Sequence, residues 1–458
     1  MDYTRKLASF CSKISFDALP AEVTHKAKLC VLDYIANIYG SLELDAVQNL
    51  IKYIKSLGKT GKATALGCGF KTDVHNAAFI NGTTAEAIEA QDGVRFGGNH
   101  PGTAVIPAVL AVGEDLNLDG KKIIEAIIAG YEAANRPAAA MHPHHTLSGF
   151  LPTGTCGTFG AAAATARLRG ADENSMLSAL GNAGYLTPLS MAEELMGGYT
   201  VKIVQGGQAA SAGIMAAGLA ASGITGVPYV FEGSQLGGGF TQITVAKTGG
   251  TPQLEKLIEG LGDHYSIMDV YFKPYTACRH THGAAQAVLT LTEEKSINTD
   301  QIDRITVFTY GIATIAVGKG ISQNDTFVSA QFSIPYVVAV CLLDGELGPK
   351  QLTEKRMADP KVIDLAQKVT VEMDEKLNSV YPEKTSSRVE IAMKNGELLT
   401  KQIDIPQGDP RDPLDKDELA TKVKRFAGDR DQKKVEKVIE LILNLEEVKK
   451  IGTITQLI

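Results

Sequence analysis

Apolar positions recur at helical spacing through most of residues 1–265. Over 21–39 they fall on Val23, Ala27, Leu29, Cys30, Leu32, Ile35 and Ala36, which share one helix face. The same period predicts helices over 73–89, 104–114, 120–134, 155–168 and 202–221, joined by short Gly-rich links. Beyond about residue 266 the period shortens to two. Residues 304–310 (RITVFTY), 368–373 (KVTVEM) and 387–393 (SRVEIAM) alternate as strands. Asn395-Gly396 is a hairpin signal, with 397–403 as the returning strand. Helical stretches near 332–343 and 362–368 lie between them. A turn-rich link, GDPRDP at 408–413, leads into two amphipathic helices over 415–427 and 430–445. The pattern predicts a mainly α protein: a large all-helical domain over 1–265, completed by 408–458, and a smaller α+β domain over 266–407.

Composition sharpens this picture. Trp is absent, aromatics are 6% and Gly numbers 46 in 458 residues. So many small residues let helices approach closely and favour a helical body over a β-sandwich. The net charge of −7 argues against nucleic acid as a partner, which would call for a basic face. Attraction for an anion must then be local. No run of about 18 apolar residues predicts a membrane span. The cysteines at 11, 30, 68, 156, 278 and 341 form no CxxC pair, and MDYTRKLASFCSKISF lacks the long apolar core of a signal segment. Both features point to a reduced, cytoplasmic setting.

Three polar, Gly-punctuated clusters carry the candidate chemistry. Residues 273–282 (KPYTACRHTH) form a polar turn feeding the helix former GAAQAVLTL, a place that suits an anion. Residues 86–100 (EAIEAQDGVRFGGNH) put Glu86 and Glu89 on one helix face, then Asp92, Arg95 and His100. That set could move a proton beside a carboxylate, or be a helix end with solvated charges. Residues 142–160 (HPHHTLSGFLPTGTCGTFG) end in an Ala-rich helix. Its start, at Thr153, is an anion pocket or a close packing site through Gly154, Gly157 and Gly160. It is neither a Walker loop nor a dinucleotide fingerprint. Lys202, ahead of a Gly-rich turn, could pair with a substrate carboxylate or act as a base, or be an ordinary surface lysine. His142, His144 and His145, with His280 and His282, raise a metal reading. Three His in four residues around a Pro converge poorly on one ion, so no metal is expected. A thiol nucleophile at Cys278 is disfavoured because the Cys-Arg-His string sends its side chains to different sides. Together the clusters suggest one assembled site for a small-molecule carboxylate.

Seven segments resemble the MmgE/PrpD family, in order and over nearly the whole chain. They are EAIEAQDGVRFGGNHPGTAVIPAVLA, GYEAANR, GFLPTGTCGTFGAAAATARLRG, VKIVQGGQAASAG, KPYTACRHTHGAAQA, QFSIPYVVAVCLLDG and GDPRDPL. The family includes 2-methylcitrate dehydratase, cis-aconitate decarboxylase and iminodisuccinate epimerase. The resemblance implies that the α+β domain is a lid, that the site lies between it and the helical domain, and that the protein is a homodimer. It implies no metal or organic cofactor. The chemistry implied is proton abstraction beside a carboxylate, followed by loss of water, loss of carbon dioxide or reprotonation on the other face. His100, Lys202, Lys273, Glu89 and Asp92 fall on the family's catalytic positions, and Tyr336 on a tyrosine of the FS-x-x segment. His100 is then the acid/base, oriented by Asp92 or Glu89. Lys202, Lys273, Arg95 and Arg279 hold carboxylates, with Thr153, His145, His282 and Tyr336 lining the site. Three positions depart from the family: Glu86 and Leu151 stand where His is common, and Cys278 stands where the decarboxylase branch has His. Leu151 cannot transfer a proton, which leaves His145 or His282 to substitute. Dehydratase is the first expectation and epimerase the second, with decarboxylase in the same class. A metal-dependent hydrolase and a catalytically inactive scaffold are the rivals from other classes.

Overall fold

The computed structural model describes residues 2–322 and 324–458. The body of the first part is a stack of long helices: Ala21–Ser41, Val74–Glu86, Gly102–Asp115, Gly120–Met141, Pro152–Leu168, Glu173–Leu186 and Val204–Ala221. Their cores are largely Ala, Gly, Ile and Val, and the contacts explain the glycine content. A Cβ on Gly160 would lie 2.7 Å from the Gly130 carbonyl, so these two helices cross backbone against backbone. A Cβ on Gly82 would lie 2.7 Å from Gly207 Cα. That second crossing brings the end of the Val74–Glu86 helix beside the start of the Val204–Ala221 helix, where Glu86 meets Lys202.

The later part holds a four-stranded sheet in the order Val369–Met373, Ile302–Thr309, Ser387–Met393, Leu398–Ile403. The first pair is parallel and the other two are antiparallel. Ile302, Ile305, Val307, Val389 and Ile391 are fully buried, as the two-residue alternation requires. Helices His282–Glu294 and Ile334–Asp344 pack on this sheet and on each other. The fold is thus mainly α with a smaller α+β portion.

Two helices after the 408–413 link run over Lys416–Ala427 and Gln432–Leu443. The first opens with a reciprocal capping box between Asp415 and Glu418. It packs against Ala21–Ser41 through a buried ion pair, Lys422 Nζ to Asp33 Oδ1 at 2.6 Å. The chain end is tied to the first part by backbone bonds from Gly120 N to Val448 O and from Ile451 N to Leu118 O.

Two features differ from the periodicity. The helix expected to reach residue 89 stops at Glu86. A two-residue antiparallel pair, Gly93–Val94 against Val270–Tyr271, ties the loop after that helix to the segment preceding Lys273. So short a pair leaves no alternation to read. All six cysteines are free thiols. Among the described residues no helix is long and apolar enough to cross a membrane.

Candidate active site

The site forms where the Val74–Glu86 helix ends. The turn that follows the helix has carbonyls without helical partners, and distant side chains supply them. Gln331 Nε2 donates to Ala87 O at 2.8 Å, Lys273 Nζ to Glu89 O at 3.1 Å, and Lys422 Nζ to Ala90 O at 2.7 Å. His100 Nδ1 lies 2.6 Å from Asp92 O. Cations also suit this negative end of the helix dipole. Glu89 has a left-handed backbone, φ +54, which an L residue adopts only when its surroundings impose it. The donors on Glu89 O and Ala90 O are those surroundings, and the turn aims the Glu89 side chain at two lysines.

One Glu89 oxygen accepts from Lys273 Nζ at 2.6 Å, and the other from Lys202 Nζ. Lys202 also donates to Glu86 Oε1 at 2.9 Å, where Gln205 Nε2 (2.8 Å) and Gln91 Nε2 (3.1 Å) converge. All six side chains are buried, and Lys273 is wholly so. Burial alone would raise the Glu89 carboxyl, but Lys202 and then Lys273 hold it well below the usual carboxylate range. Burial likewise disfavours the Lys202 ammonium, and Glu86 and Glu89 outweigh it to raise its pKa. Lys202 is therefore a buried, protonated lysine clamped by two carboxylates, which fits neither a base nor a surface residue.

His100 stands beside this cluster. A carbonyl only accepts, so the bond to Asp92 O puts the imidazole proton on Nδ1 and leaves a lone pair on Nε2. Nε2 is 4.0 Å from Glu89 Oε1. Burial, then the Lys273 charge, push the His100 pKa down to about 3, so the ring is neutral near pH 7. Its side chain keeps 17% exposure, against 0–3% for Glu86, Glu89, Lys202 and Lys273. It is the member of the cluster that solvent can reach. Thr153, in the first turn of the Pro152–Leu168 helix, accepts from His100 N at 2.9 Å. Asp92 orients His100 through its carbonyl, not its carboxyl. The carboxyl instead accepts from Gly102 N at 3.0 Å and Tyr131 Oη at 2.6 Å, and burial, then Asp33, raise it to about 7.

The structure thus brings Glu89, Lys202, Lys273 and His100 together, with Thr153 and Asp92 behind them. The remaining candidates do not hydrogen-bond this cluster. Arg95 donates to Pro382 O and Glu383 O and stacks on Phe96. Arg279 donates to Gln407 O and Pro406 O, with its guanidinium 5.0 Å over the Tyr271 ring. Neither arginine pairs with a carboxylate among the described residues. His145 is buried against Phe150 and bonded to Thr155 Oγ1 at 2.8 Å, and burial lowers it to about 4. His282 donates from Nε2 to Ala277 O at 3.0 Å and packs on Tyr275. Tyr336 gives its hydroxyl proton to Gln351 O inside the Ile334–Asp344 helix packing. Neither His145, His282 nor Tyr336 hydrogen-bonds the cluster, so the substitution for Leu151 expected of the two imidazoles does not take the form of a contact with His100 or the lysines. Among the described residues no group of three or more His, Cys, Asp or Glu is arranged to hold a metal.

Sequence reasoning passed over four members of the site and the pairing of a fifth. Glu86 stood out beside Glu89 and as a departure from the family pattern, but not as the anchor of Lys202. Gln91, Gln205 and Gln331 had no distinguishing signal. Lys422 did have one: it sits with Leu419, Val423 and Phe426 on the apolar face of its helix, where a lysine demands a buried partner.

The MmgE/PrpD N-terminal domain matches residues 5–250, and the MmgE/PrpD C-terminal domain matches residues 275–447. A cis-aconitate decarboxylase of Aspergillus terreus is 27% identical over 476 residues, covering 99% of this chain and 95% of that protein. The cis-aconitate decarboxylase of Homo sapiens is 25% identical over 474 residues, covering 99% and 94%. The cis-aconitate decarboxylase-like protein oryM of Aspergillus oryzae is 25% identical over 462 residues, covering 97% and 94%. With both domains matched in order along most of its length, the chain belongs to the MmgE/PrpD family.

Proposed function

We propose that the chain is a cofactor-independent lyase that acts on a small di- or tricarboxylate, with dehydration as its reaction. The observation that carries this is the neutral His100, with a lone pair on Nε2 and a partly exposed edge beside a buried lysine–carboxylate cluster. Nε2 takes a proton from the carbon next to a substrate carboxylate. The nearby Glu89 carboxylate stabilises the imidazolium that forms. Lys273, Lys202 and Arg279 stabilise the enolate-like charge that builds on the substrate. Arg279 and Arg95, with no carboxylate partners, are the cations left to hold substrate carboxylates, and Arg can do so with two parallel bonds.

Decarboxylation is the second reading, favoured by the names of the relatives. Against it, Cys278 stands where the resemblance puts a histidine in the decarboxylase branch. On the same reading the protein is a cytoplasmic homodimer. Six free thiols fit a reducing compartment. Tyr185, Leu189, Tyr199, Leu236 and Ile243, each more than half exposed, are apolar side chains that a second copy would cover.

The test is proton NMR in deuterium oxide on the purified protein with 2-methylcitrate, citrate, cis-aconitate and iminodisuccinate. Water loss from a hydroxy acid supports dehydration. Carbon dioxide release supports the second reading, and exchange or inversion alone supports an epimerase. No change in any acid by folded protein overturns the carbon-acid reading.

A further inference from the structure

His100 can take a proton, but dehydration also calls for a group that gives one to the departing hydroxyl. The obvious donors are occupied. Lys202 and Lys273 are bound to Glu89, and the Asp92 carboxyl is held by Gly102 and Tyr131. The Cys278 thiol is buried, with its pKa pushed up to about 12.

Tyr271 is placed differently. Its two-residue strand pairs antiparallel with Gly93–Val94, so that Tyr271 lies opposite Gly93. A Cβ on Gly93 would lie 2.5 Å from the Tyr271 hydroxyl and 2.8 Å from His100 Nδ1. The phenol and the imidazole therefore converge over a backbone position that has no side chain to separate them. Tyr131, Tyr310 and Tyr336, all buried, hydrogen-bond their hydroxyls to Asp92, His280 and Gln351. The Tyr271 hydroxyl has no such bond to any described residue, although Tyr271 is only 7% exposed. The Tyr34 hydroxyl is also unpaired but is wholly shut off from solvent, whereas the Tyr271 hydroxyl is not, so a small molecule can meet it beside the imidazole. The Arg279 guanidinium over its ring would stabilise a phenolate.

We propose that Tyr271 is the general acid that completes the reaction, paired with His100 as the base. The proposal rests on the dehydratase reading above. The step runs as one proton and one electron-pair circuit. His100 Nε2 removes the proton from the carbon beside the carboxylate. The C–H electron pair becomes the new C=C bond as the C–O bond to the neighbouring carbon breaks. The oxygen leaves with that bond's electrons, takes the phenolic proton and departs as water. The proton held by the imidazolium then returns to the phenolate, which restores both groups. Burial raises the Tyr271 pKa above its ordinary value, so the phenol is protonated throughout the working range.

The experiment compares the full-length protein with Tyr271→Phe and His100→Ala, on a hydroxy acid that the unaltered protein dehydrates in deuterium oxide. Circular dichroism and thermal melting check folding, which the loss of an unpaired hydroxyl should leave intact. We expect Tyr271→Phe to lose about 10²-fold or more in kcat for water loss while still washing deuterium into unreacted substrate with KM little changed. His100→Ala loses both. Incorporating a fluorinated tyrosine at 271, with a more acidic phenol, should shift the alkaline limb of the pH–kcat profile downward. Full-rate dehydration by Tyr271→Phe overturns the proposal, as does equal loss of exchange and water loss, which would make Tyr271 a support for His100. If the unaltered protein releases carbon dioxide but never water, the dehydratase reading fails, and this role falls with it for that separate reason.

Discussion

Residues 86–100 and 142–145 look alike in the sequence, each a short polar run with ionisable groups and a Gly or Pro. The folded protein treats them in opposite ways. The acids of the first run meet cations from positions 202 and 273, more than a hundred residues away. The histidines of the second run scatter. His145 is packed against Phe150 and Thr155, a few residues along, and His144 reaches Thr248 from the surface. A buried charge is costly unless it is paired, so the first run can exist only as part of a cluster assembled by the whole fold. The second satisfies itself with neutral contacts, near and far in the chain. The difference teaches that chemistry here follows long-range pairing of unlike charges and not the local density of ionisable residues.

The sharpest way to break the comparison is to remove one imidazole from each run. His100→Ala should cost about 10³-fold in kcat on whichever acid the protein turns over, with the fold intact. His145→Ala should leave kcat within a few-fold and lower the melting temperature instead, because its ring fills a buried aromatic pocket. Steady-state rates and thermal melts on both variants decide this, and a reversed pattern would transfer the base to His145.

The next effect is on stability. Lys273→Met removes one of the two cations on a wholly buried Glu89 and also the donor on its backbone carbonyl. Breaking a buried pair from one side costs about 3–5 kcal/mol. His144→Ala, at a partly exposed ring, should change stability by about 0.5 kcal/mol or less. Urea unfolding of the two variants measures the contrast directly. A Lys273→Met protein as stable as the unaltered one would mean that the cluster is not paired in solution.

These contrasts also mark what could be read from the chain. The helices of the body and the strands over 304–310, 368–373 and 387–393 were legible because each repeats a period over many residues. The carboxylate cluster was half legible. Glu89, His100, Lys202 and Lys273 stand out in their motifs, yet nothing local says that Glu86 and Glu89 share one lysine. That contact depends on Gly82 and Gly207 letting two helices touch. The unwound turn at Glu89 was not legible, since its carbonyls are satisfied by Lys273, Gln331 and Lys422 from distant segments. Tyr271 was invisible for the same reason: its place beside His100 comes from a pair of two-residue strands.

The smallest effect is a dependence on pH that the unaltered protein partly hides. His100 titrates at about 3 in the fold against an ordinary 6.5. Between those values the unfolded chain binds a proton there and the folded one does not, so His100 makes stability rise with pH and withdraws support as pH falls from 6.5 toward 3. Asp92 does the opposite. It holds its proton to about 7 in the fold against 3.8 ordinarily. The folded form therefore binds the extra proton, and stability from Asp92 declines as pH rises from 3.8 through 7. Over 3.8–6.5 the two slopes oppose and largely cancel. Replacing one group should unmask the other. Asp92→Asn should become more stable with rising pH relative to the unaltered protein, and His100→Gln less so. Each slope should stay below about 1.4 kcal/mol per pH unit, the value for one full proton. The His100 slope should be the shallower, because the exposed edge of its ring lets water screen the charge. Denaturant midpoints at pH 4, 5 and 6 read these differences. Parallel curves for all three proteins would mean that neither group is shifted in the folded chain.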